Sequence, residues 1–227
     1  MSGTVIALLP EGVEIPAGIS DLAGFRAWAT SDAFPESGRI DWVSGRMEVD
    51  MSPEDLNTHG SPKSAIAIQL GNLIQEADRG MVFIDRARLS SPEADLSVEP
   101  DVLVLLLSTL KAGRARLIPK ASGAEGRFIE IEGTADLAVE CVSDASTQKD
   151  RKRLRDCYHR AGVREYWLVD VRGKTVEFQL LIHREAGYEP SRPDAEGFAN
   201  SEVLGRKVRL VRRLQDAGLV FFRLEVR

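Results

Sequence analysis

The spacing of apolar side chains alternates along the chain between the period of a helix and that of a strand. Residues 64–78 predict a helix of about four turns, because apolar side chains recur three and four positions apart and share one face. These side chains are Ile66, Leu70, Leu73, Ile74 and Ala77. By contrast, the unbroken apolar run Val102–Leu107 is typical of a buried strand and is too short to cross a membrane.

Shorter runs predict further strands and a second helix. RIDWVS and RMEVDMS flank Gly45 and predict a hairpin, while ADLAVECVS predicts a single strand. Residues 146–162 predict a helix that ends at Gly162, the residue type that most often terminates a helix. After it, REYWLVDVRGKTVEFQLLIH predicts two strands joined by a turn at Arg172 and Gly173.

The remaining segments carry weaker patterns. Residues 19–34 predict a short helix with Ser20 as its N-cap, and residues 1–18 predict an N-terminal arm. The basic, glycine-containing segment Lys111–Arg127 predicts an exposed loop. The chain from Gly187 onward predicts further strands or a terminal helix.

Composition is that of an ordinary globular chain, with 227 residues of which 43% are hydrophobic and 29% charged. No linker rich in Pro, Gly and Ser divides it, so the order of elements predicts one α/β domain, residues 1–227, with a mixed β-sheet flanked by helices. Cys141 and Cys157 lack the spacing of a disulfide framework, and the first residues lack the features of a signal peptide. We therefore expect a cytoplasmic protein.

Charge is unevenly distributed along the chain. A net charge of −5 and a pI of about 5.4 argue against a protein that holds nucleic acid by bulk electrostatics. The helix predicted at residues 146–162 is nevertheless basic, and its polar side is expected to hold Lys149, Lys152, Arg153 and Asp156. Cations in the first turns oppose the helix macrodipole. The run is therefore either a solvated face or the neighbour of a negative partner, such as an acidic site or a phosphodiester.

Two carboxylates lie in or beside strongly apolar strands. Asp101 precedes the apolar run, and Glu140 lies inside LAVECVS. Strand alternation places Glu140 on the face of Ala138 and Val142, away from its bulkier neighbours. A carboxylate among such neighbours requires hydrogen bonds, an arginine partner or a cation. Two oxygen donors on neighbouring strands suit Mg²⁺, so the two acids are either a metal site or structural acids paired elsewhere.

Four segments together resemble one known family. EPDVLVL, LAVECVSDAST and KDRKRLRDCYHRAGVREYWLVD, with GRMEVDMSPEDLNTHG upstream, closely resemble the Uma2 family of restriction endonucleases, which have the PD-(D/E)xK nuclease fold. The resemblance covers about Asp41 to Ile182, and AGVREYWLVD is its most specific segment. It implies a restriction-endonuclease-like fold and hydrolysis of phosphodiester bonds in DNA with Mg²⁺ or Mn²⁺ as cofactor.

The resemblance also implies roles for particular residues. Asp101 and Glu140 would act in catalysis by binding the metal. The lysine that usually follows the second acid by two positions is replaced by Val142. The catalytic lysine is therefore expected in the next helix, at Lys149 or, as second choice, at Lys152.

Residues near these segments have lesser expected roles. His59 and Glu48 are expected to line the site, and Tyr158 and Asp170 to act as packing and polar anchors. Many relatives carry a lysine near the position of Leu154, so the choice of lysine is open. The remaining histidines have no acid or Cys partner at ligand spacing, so zinc is not expected.

Two other functions are compatible with the same residues. One is a nuclease-fold module that has lost catalysis and binds nucleic acid or protein, and the other is hydrolysis of a different phosphate ester. For a nuclease, the segment Lys111–Arg127 is expected to track the nucleic-acid backbone. A homodimer is expected as well, since cutting both strands favours two sites related by two-fold symmetry.

Overall fold

Two six-stranded β-sheets form the framework of the protein. The computed structural model describes residues 5–8, 14–120 and 125–227. The strands are β1 (Val5–Leu8), β2 (Glu14–Pro16), β3 (Arg39–Val43), β4 (Met47–Asp50), β5 (Gly80–Ile84), β6 (Arg88–Ser91), β7 (Leu96–Val98), β8 (Val102–Leu106), β9 (Ala115–Pro119), β10 (Phe128–Gly133), β11 (Leu137–Cys141), β12 (Glu165–Asp170), β13 (Glu177–Arg184), β14 (Gly187–Pro190), β15 (Ala199–Ser201), β16 (Arg206–Asp216) and β17 (Leu219–Val226).

The helices are short apart from one. They are α1 (Leu22–Ala29), α2 (Ser61–Gln75), α3 (Leu107–Lys111) and α4 (Arg155–Arg160). A π-type turn at Leu56–Gly60 leads into α2, another at Lys149–Leu154 leads into α4, and a 3-10 turn spans Pro92–Ala94. The helices predicted at residues 64–78 and 146–162 are therefore present, and the second begins with a wider turn than expected.

Both large sheets mix parallel and antiparallel pairs. Their strand orders are β4-β3-β7-β6-β10-β9 and β14-β13-β12-β11-β8-β5, and a third sheet, β15-β16-β17, packs against α2. The parallel pairs are β6 with β10 and β11 with β12. The predicted α/β, restriction-endonuclease-like fold is confirmed, with two large mixed sheets where the sequence suggested one central sheet.

Strand β11 separates two apolar cores. Leu137 and Val139 pack in the core that includes the buried side of α2, whereas Ala138 and Val142 pack in the core that includes α4. The predicted alternation is therefore confirmed. It places Glu140 on the side of α4, where a polar side chain can meet residues that follow the strand.

The N-terminal part of the fold confirms one predicted turn and corrects one predicted cap. Strands β3 and β4 form the expected hairpin, and Gly45 has a φ of 75°, a conformation that favours glycine. Helix α1 is shorter than residues 19–34. Its N-cap is Asp21 rather than Ser20, because Oδ1 of Asp21 accepts a hydrogen bond from the backbone N–H of Gly24 at 2.8 Å.

The segment Lys111–Arg127 is more ordered than the predicted loop. Residues 115–119 form β9, which pairs antiparallel with β10 at one edge of the first sheet. Ala115 is buried while the side chain of Arg116 is 71% exposed, so the segment has the alternation of an edge strand. The many basic residues and glycines of this segment favoured a loop in the sequence, although residues 115–119 form a strand. Residues 121–124 lie outside the described residues.

Both ends of the described chain consist of strands. The region from Gly187 forms β14 to β17, so of the two predicted alternatives the strands are present. Within the predicted N-terminal arm, β1 pairs antiparallel with β2, and residues 1–4 and 9–13 lie outside the described residues. Among the described helices, none has the length and apolar character needed to span a bilayer.

Candidate active site

Antiparallel pairing of β8 with β11 brings two carboxylates together. Val102 lies opposite Val139, so the register continued by one residue places Asp101 opposite Glu140. Both acids are buried, with Asp101 at 0% and Glu140 at 2% exposure. The backbone N–H of Cys141 donates to Oδ2 of Asp101 at 2.7 Å and fixes that carboxylate at the strand end.

An arginine lies between these two acids. Arg39, at the start of β3, donates from Nη2 to Oδ1 of Asp101 at 2.5 Å, and its Nη1 is 3.8 Å from Oε2 of Glu140. Burial acts to lower the pKa of Arg39, but the charges of Asp101, Glu140 and Asp41 outweigh burial and hold that pKa above its usual value. The guanidinium thus supplies positive charge that two adjacent buried carboxylates need.

A buried lysine forms a second ion pair beside the first. Nζ of Lys149 lies 3.1 Å from Oδ2 of Asp41, and the backbone N–H of Glu99 donates to Oδ1 of Asp41 at 3.1 Å. Burial opposes the charge on Lys149, yet Asp41 outweighs it and keeps the pKa of the lysine above its usual value. Lys149 therefore stays charged in the interior.

Two π-type turns position side chains at the site. The first carries His59, whose Nε2 is 3.1 Å from Oδ2 of Asp101. Burial opposes protonation of this ring, but the hydrogen bond and charge of Asp101 raise the pKa of His59 to about 9. The second carries Lys149 and Asp150 inward while Lys152 is exposed. A turn closed over five residues is wider than an α-helical turn, so the predicted grouping of Lys149 with Lys152 on one polar side is wrong.

The two central acids have different protonation preferences. Burial raises the pKa of Glu140 well above its usual value, and the nearby charges of Asp101 and Asp150 add to this. Glu140 accepts one short hydrogen bond, from the hydroxyl of Tyr158 at 2.6 Å. For Asp101, burial is outweighed by Arg39, by His59 and by the Cys141 N–H, so its pKa lies below the usual value.

Acidic groups outnumber cations at this site. Asp41, Asp101, Glu140 and Asp150 form the acidic set, and Arg39 and Lys149 face it, with His59 at its edge. Burial raises the pKa of Asp150 to about 6, and its buried Oδ1 has no hydrogen-bond partner among the residues that the structure describes. Raised carboxyl pKa values and an unbonded carboxylate oxygen are what a site short of positive charge would show.

The donor set fits a divalent cation that is only partly held by protein. Among residues 5–8, 14–120 and 125–227, no three His, Cys, Asp or Glu side chains converge on one position suited to an ion. Mg²⁺, however, commonly takes one or two carboxylates and completes its octahedron with water and substrate phosphates. Asp101 and Glu140 supply two such carboxylates.

Arg39 forms the boundary between the acids and open space. A cavity of about 550 Å³ is lined by Arg39 and His59, among other residues. A smaller cavity of about 100 Å³ is lined by Arg39, Glu48 and Lys149. Neither set of described lining residues includes the two central acids, which lie behind the guanidinium.

The structure brings most of the residues expected at the site into one place. Asp101, Glu140 and Lys149 converge, and His59 contacts the first of them. Glu48 lines the smaller cavity beside Lys149. Their positions are those of a common site, while their catalytic and metal-binding roles remain proposals.

Other expected residues lie further away. Lys152 is exposed and lines a separate cavity, and Leu154 is buried in a core. Tyr158 anchors Glu140, as described above. Asp170 accepts hydrogen bonds from Arg151 and Arg172, and so acts as a polar anchor outside the acidic cluster.

Three site residues are not singled out by the sequence analysis. Asp41 lies in RIDWV between Ile40 and Trp42, so apolar neighbours mark it in the sequence as they mark Glu140. Arg39 and Asp150 carry no such signal, because an arginine or aspartate next to polar residues is ordinary on a surface.

Comparison with known proteins gives the family of the chain. The family model described as "Uma2: Putative restriction endonuclease" matches residues 22–210. The chain belongs to the Uma2 family. The inferred resemblance is thereby confirmed, and it covers more of the chain than the segments that first indicated it. No curated protein matches this Uma2 chain significantly.

A solved structure shares the fold of this Uma2 protein. It is titled a "putative nuclease belonging to DUF820" from Anabaena variabilis ATCC 29413. The two chains are 16% identical, with a TM-score of 0.58, and the match covers 82% of this chain and 90% of that chain. At this identity the likeness shows the fold alone.

Proposed function

We propose that this protein is a metal-dependent endonuclease that hydrolyses phosphodiester bonds in DNA. The observation that carries the proposal is the convergence of Asp101, Glu140 and Lys149 behind the two cavities that Arg39 lines, in a chain of the Uma2 family. Buried acids in excess of cations destabilise a fold. Binding of a metal cation and a phosphodiester at this site would explain why the acids are retained.

Asp101 and Glu140 would hold Mg²⁺ or Mn²⁺ in this proposal. A bound ion would polarise a phosphoryl oxygen and lower the pKa of a coordinated water. The Tyr158 hydroxyl holds Oε1 of Glu140, which leaves Oε2 of that residue directed toward Arg39 and available as a ligand. The Cys141 N–H holds Oδ2 of Asp101, whose Oδ1 faces Arg39.

Lys149 and Arg39 would act on the phosphodiester. Lys149 would orient the attacking water or stabilise charge that develops on the phosphoryl oxygens, and Asp41 holds its ammonium in place. Arg39 lines the cavity of about 550 Å³, so its guanidinium can donate to a phosphate oxygen of bound DNA, for which its planar fork is suited.

Plasmid cleavage by the purified protein with Mn²⁺ or Mg²⁺ tests this proposal. Asp101→Asn and Glu140→Gln should each lower the cleavage rate more than about a hundredfold, since even loss of an outer-shell partner of a metal costs about 10- to 100-fold. Asp216→Asn, at an exposed position of β16, is the matched control and should cleave like the parent. Equal cleavage by all three variants would refute the site.

The melting temperature separates metal binding from catalysis. Mn²⁺ at about 100 times its Kd should stabilise the fold by about 2.7 kcal/mol, or roughly 5–10 °C for a chain of this size. Asp101→Asn should remove that shift. A shift without cleavage would favour the module that has lost catalysis. Linear plasmid as the first product would indicate two sites acting together, as expected of a homodimer.

A further inference from the structure

A basic groove lies on the outer side of the helix that follows Lys149. This cavity of about 770 Å³ is lined by helix residues between Arg151 and Arg160 and by Gly187 and Tyr188 at the start of β14. Its cations are Arg151, Lys152, Arg153, Arg155 and Arg160, and Asp156 is the acid in the lining. In a chain of net charge −5, such a concentration of positive charge is local and distinct.

Three of these cations lack an ion-pair partner among the described residues. Arg151 pairs with Asp170 and Glu177, and Arg153 pairs with Glu48. Within the described part of the chain, Lys152, Arg155 and Arg160 form no ion pair. The charge that the groove presents to a ligand is therefore carried by these last three side chains.

Two of the three are held in place by neutral acceptors. Arg155 donates to the backbone carbonyl of Tyr188 at 3.0 Å, and Arg160 donates to that of Ala94 at 3.1 Å and to Oγ of Ser44 at 2.9 Å. A carbonyl or hydroxyl partner fixes the guanidinium without cancelling its charge, and each guanidinium has five N–H donors to share. A solvated helix face does not require such fixing.

The groove adjoins the candidate active site. Arg153 lines the groove, Glu48 lines the small cavity beside Lys149, and the two side chains form an ion pair at 2.6 Å. From Lys149 to Arg160 the helix rises roughly 15 Å. That length corresponds to about four phosphates along one strand of B-DNA.

We propose that the basic groove binds the phosphate backbone of DNA next to the scissile bond, through Lys152, Arg155 and Arg160. The identity of the ligand rests on the proposed function, whereas the presence of an anion-binding groove rests on the geometry. Backbone contacts of this kind set the register of bound DNA without reading its sequence. In an acidic protein, a basic groove also directs the polyanion toward the face that carries it.

Fluorescence anisotropy with a labelled DNA duplex tests the groove. The full chain is titrated in EDTA over a series of salt concentrations, so that binding is measured without cleavage. The groove variant Lys152→Gln/Arg155→Gln/Arg160→Gln is compared with Lys174→Gln/Arg206→Gln/Arg213→Gln, which makes the same change in net charge at exposed positions outside the groove. Each phosphate contact contributes about 0.9 to the slope of log Kobs against log salt.

The groove variant should lose about 2 to 3 units of that slope, while the control variant should keep the slope of the parent. The Lys152 side chain makes no hydrogen bond among the described residues, so the single variant Lys152→Gln should fold like the parent. Its slope should be about 0.9 lower than the parent's. Equal slopes for the groove and control variants would overturn the proposal. Binding of polyglutamate but not of duplex by the parent would overturn the assignment to DNA.

Plasmid cleavage measured in parallel separates this proposal from the proposed function. If the groove variant has a lower salt slope but the parent protein does not cleave plasmid, the groove is supported and the nuclease activity is refuted. A slope that does not change in a protein that does cleave would refute the groove and support the nuclease.

Discussion

Two buried clusters of charge in this protein differ in how completely they are compensated. In the first sheet, Arg88 donates to Oε1 of Glu99 at 2.6 Å and to the backbone carbonyl of Ile40 at 3.2 Å, and its guanidinium lies 5.0 Å from the ring centroid of Phe34. One buried cation faces one buried acid there. The backbone carbonyl of Ile40 and the Phe34 ring supply further contacts to the Arg88 guanidinium.

The candidate active site is compensated less fully. Its acids outnumber its fixed cations, and burial together with the charges of Asp101 and Asp150 raises the pKa of Glu140 even though Arg39 and Lys149 act to lower it. Arg39 is shared between the two acids, at 2.5 Å from one and 3.8 Å from the other. The site therefore has an electrostatic requirement that a bound cation would meet.

This difference shows that burial of charge alone does not identify a functional site. Both clusters bury carboxylates almost completely, yet in one of them each charge has its partner and in the other the acids are in excess. An excess destabilises the fold and is retained where a ligand compensates it. Three predictions sharpen the contrast.

The largest expected effect is on the balanced cluster. Glu99→Gln leaves Arg88 buried without an acid partner, so the free energy of unfolding should fall by about 3–5 kcal/mol in urea denaturation. Glu202→Gln, which breaks the half-exposed ion pair with Arg184, is the control and should leave the free energy of unfolding close to the parent's. A loss for Glu99→Gln no larger than the control's would mean that the first cluster is not balanced by ion pairing.

The next effect concerns the cations of the acidic site. Lys149→Met should lower kcat for DNA cleavage roughly 10²- to 10³-fold, the usual loss when a preorganised group that stabilises transition-state charge is removed. Since the change also leaves Asp41 without its lysine, kcat is measured well below the melting temperature of the variant. Lys174→Met, at an exposed position, is the control. Loss of kcat in Lys152→Met with retention in Lys149→Met would assign catalysis to the other lysine.

The central acids were predictable from sequence because their environment is local. Strand alternation and apolar neighbours place Glu140 on one face of β11, and Asp101 directly precedes a buried strand. The hairpin at Gly45 and the strand pair around Gly173 follow from turn chemistry in the same way.

What the sequence did not predict depends on contacts between distant segments or on departures from regular helices. Arg39 reaches the acids only because β3 pairs with β7, a strand that lies far along the chain. Lys149 turns inward and Lys152 outward because the helix begins with a π-type turn, whereas periodicity arguments assume 3.6 residues per turn. Strand β9 is set by its pairing with β10, which overrides a loop-like composition.

The smallest expected effect tests the surplus of acid directly, in metal-free protein. The pKa of Glu140 is higher in the folded protein than in the unfolded chain, so above about pH 4.3 the folded protein keeps a proton on Glu140 that the unfolded chain releases. The stability that this proton contributes is lost as the pH rises through the folded pKa. Glu140→Gln removes that share of the pH dependence. In EDTA, the free energy of unfolding of Glu140→Gln should therefore fall less steeply with pH than the parent's, and at alkaline pH the variant should be at least as stable as the parent.

Glu99→Gln, by contrast, should be less stable than the parent at neutral as well as alkaline pH. If Glu140→Gln instead destabilises the metal-free fold as much as Glu99→Gln does, the two clusters are equally balanced and the case for a cation at Glu140 is lost.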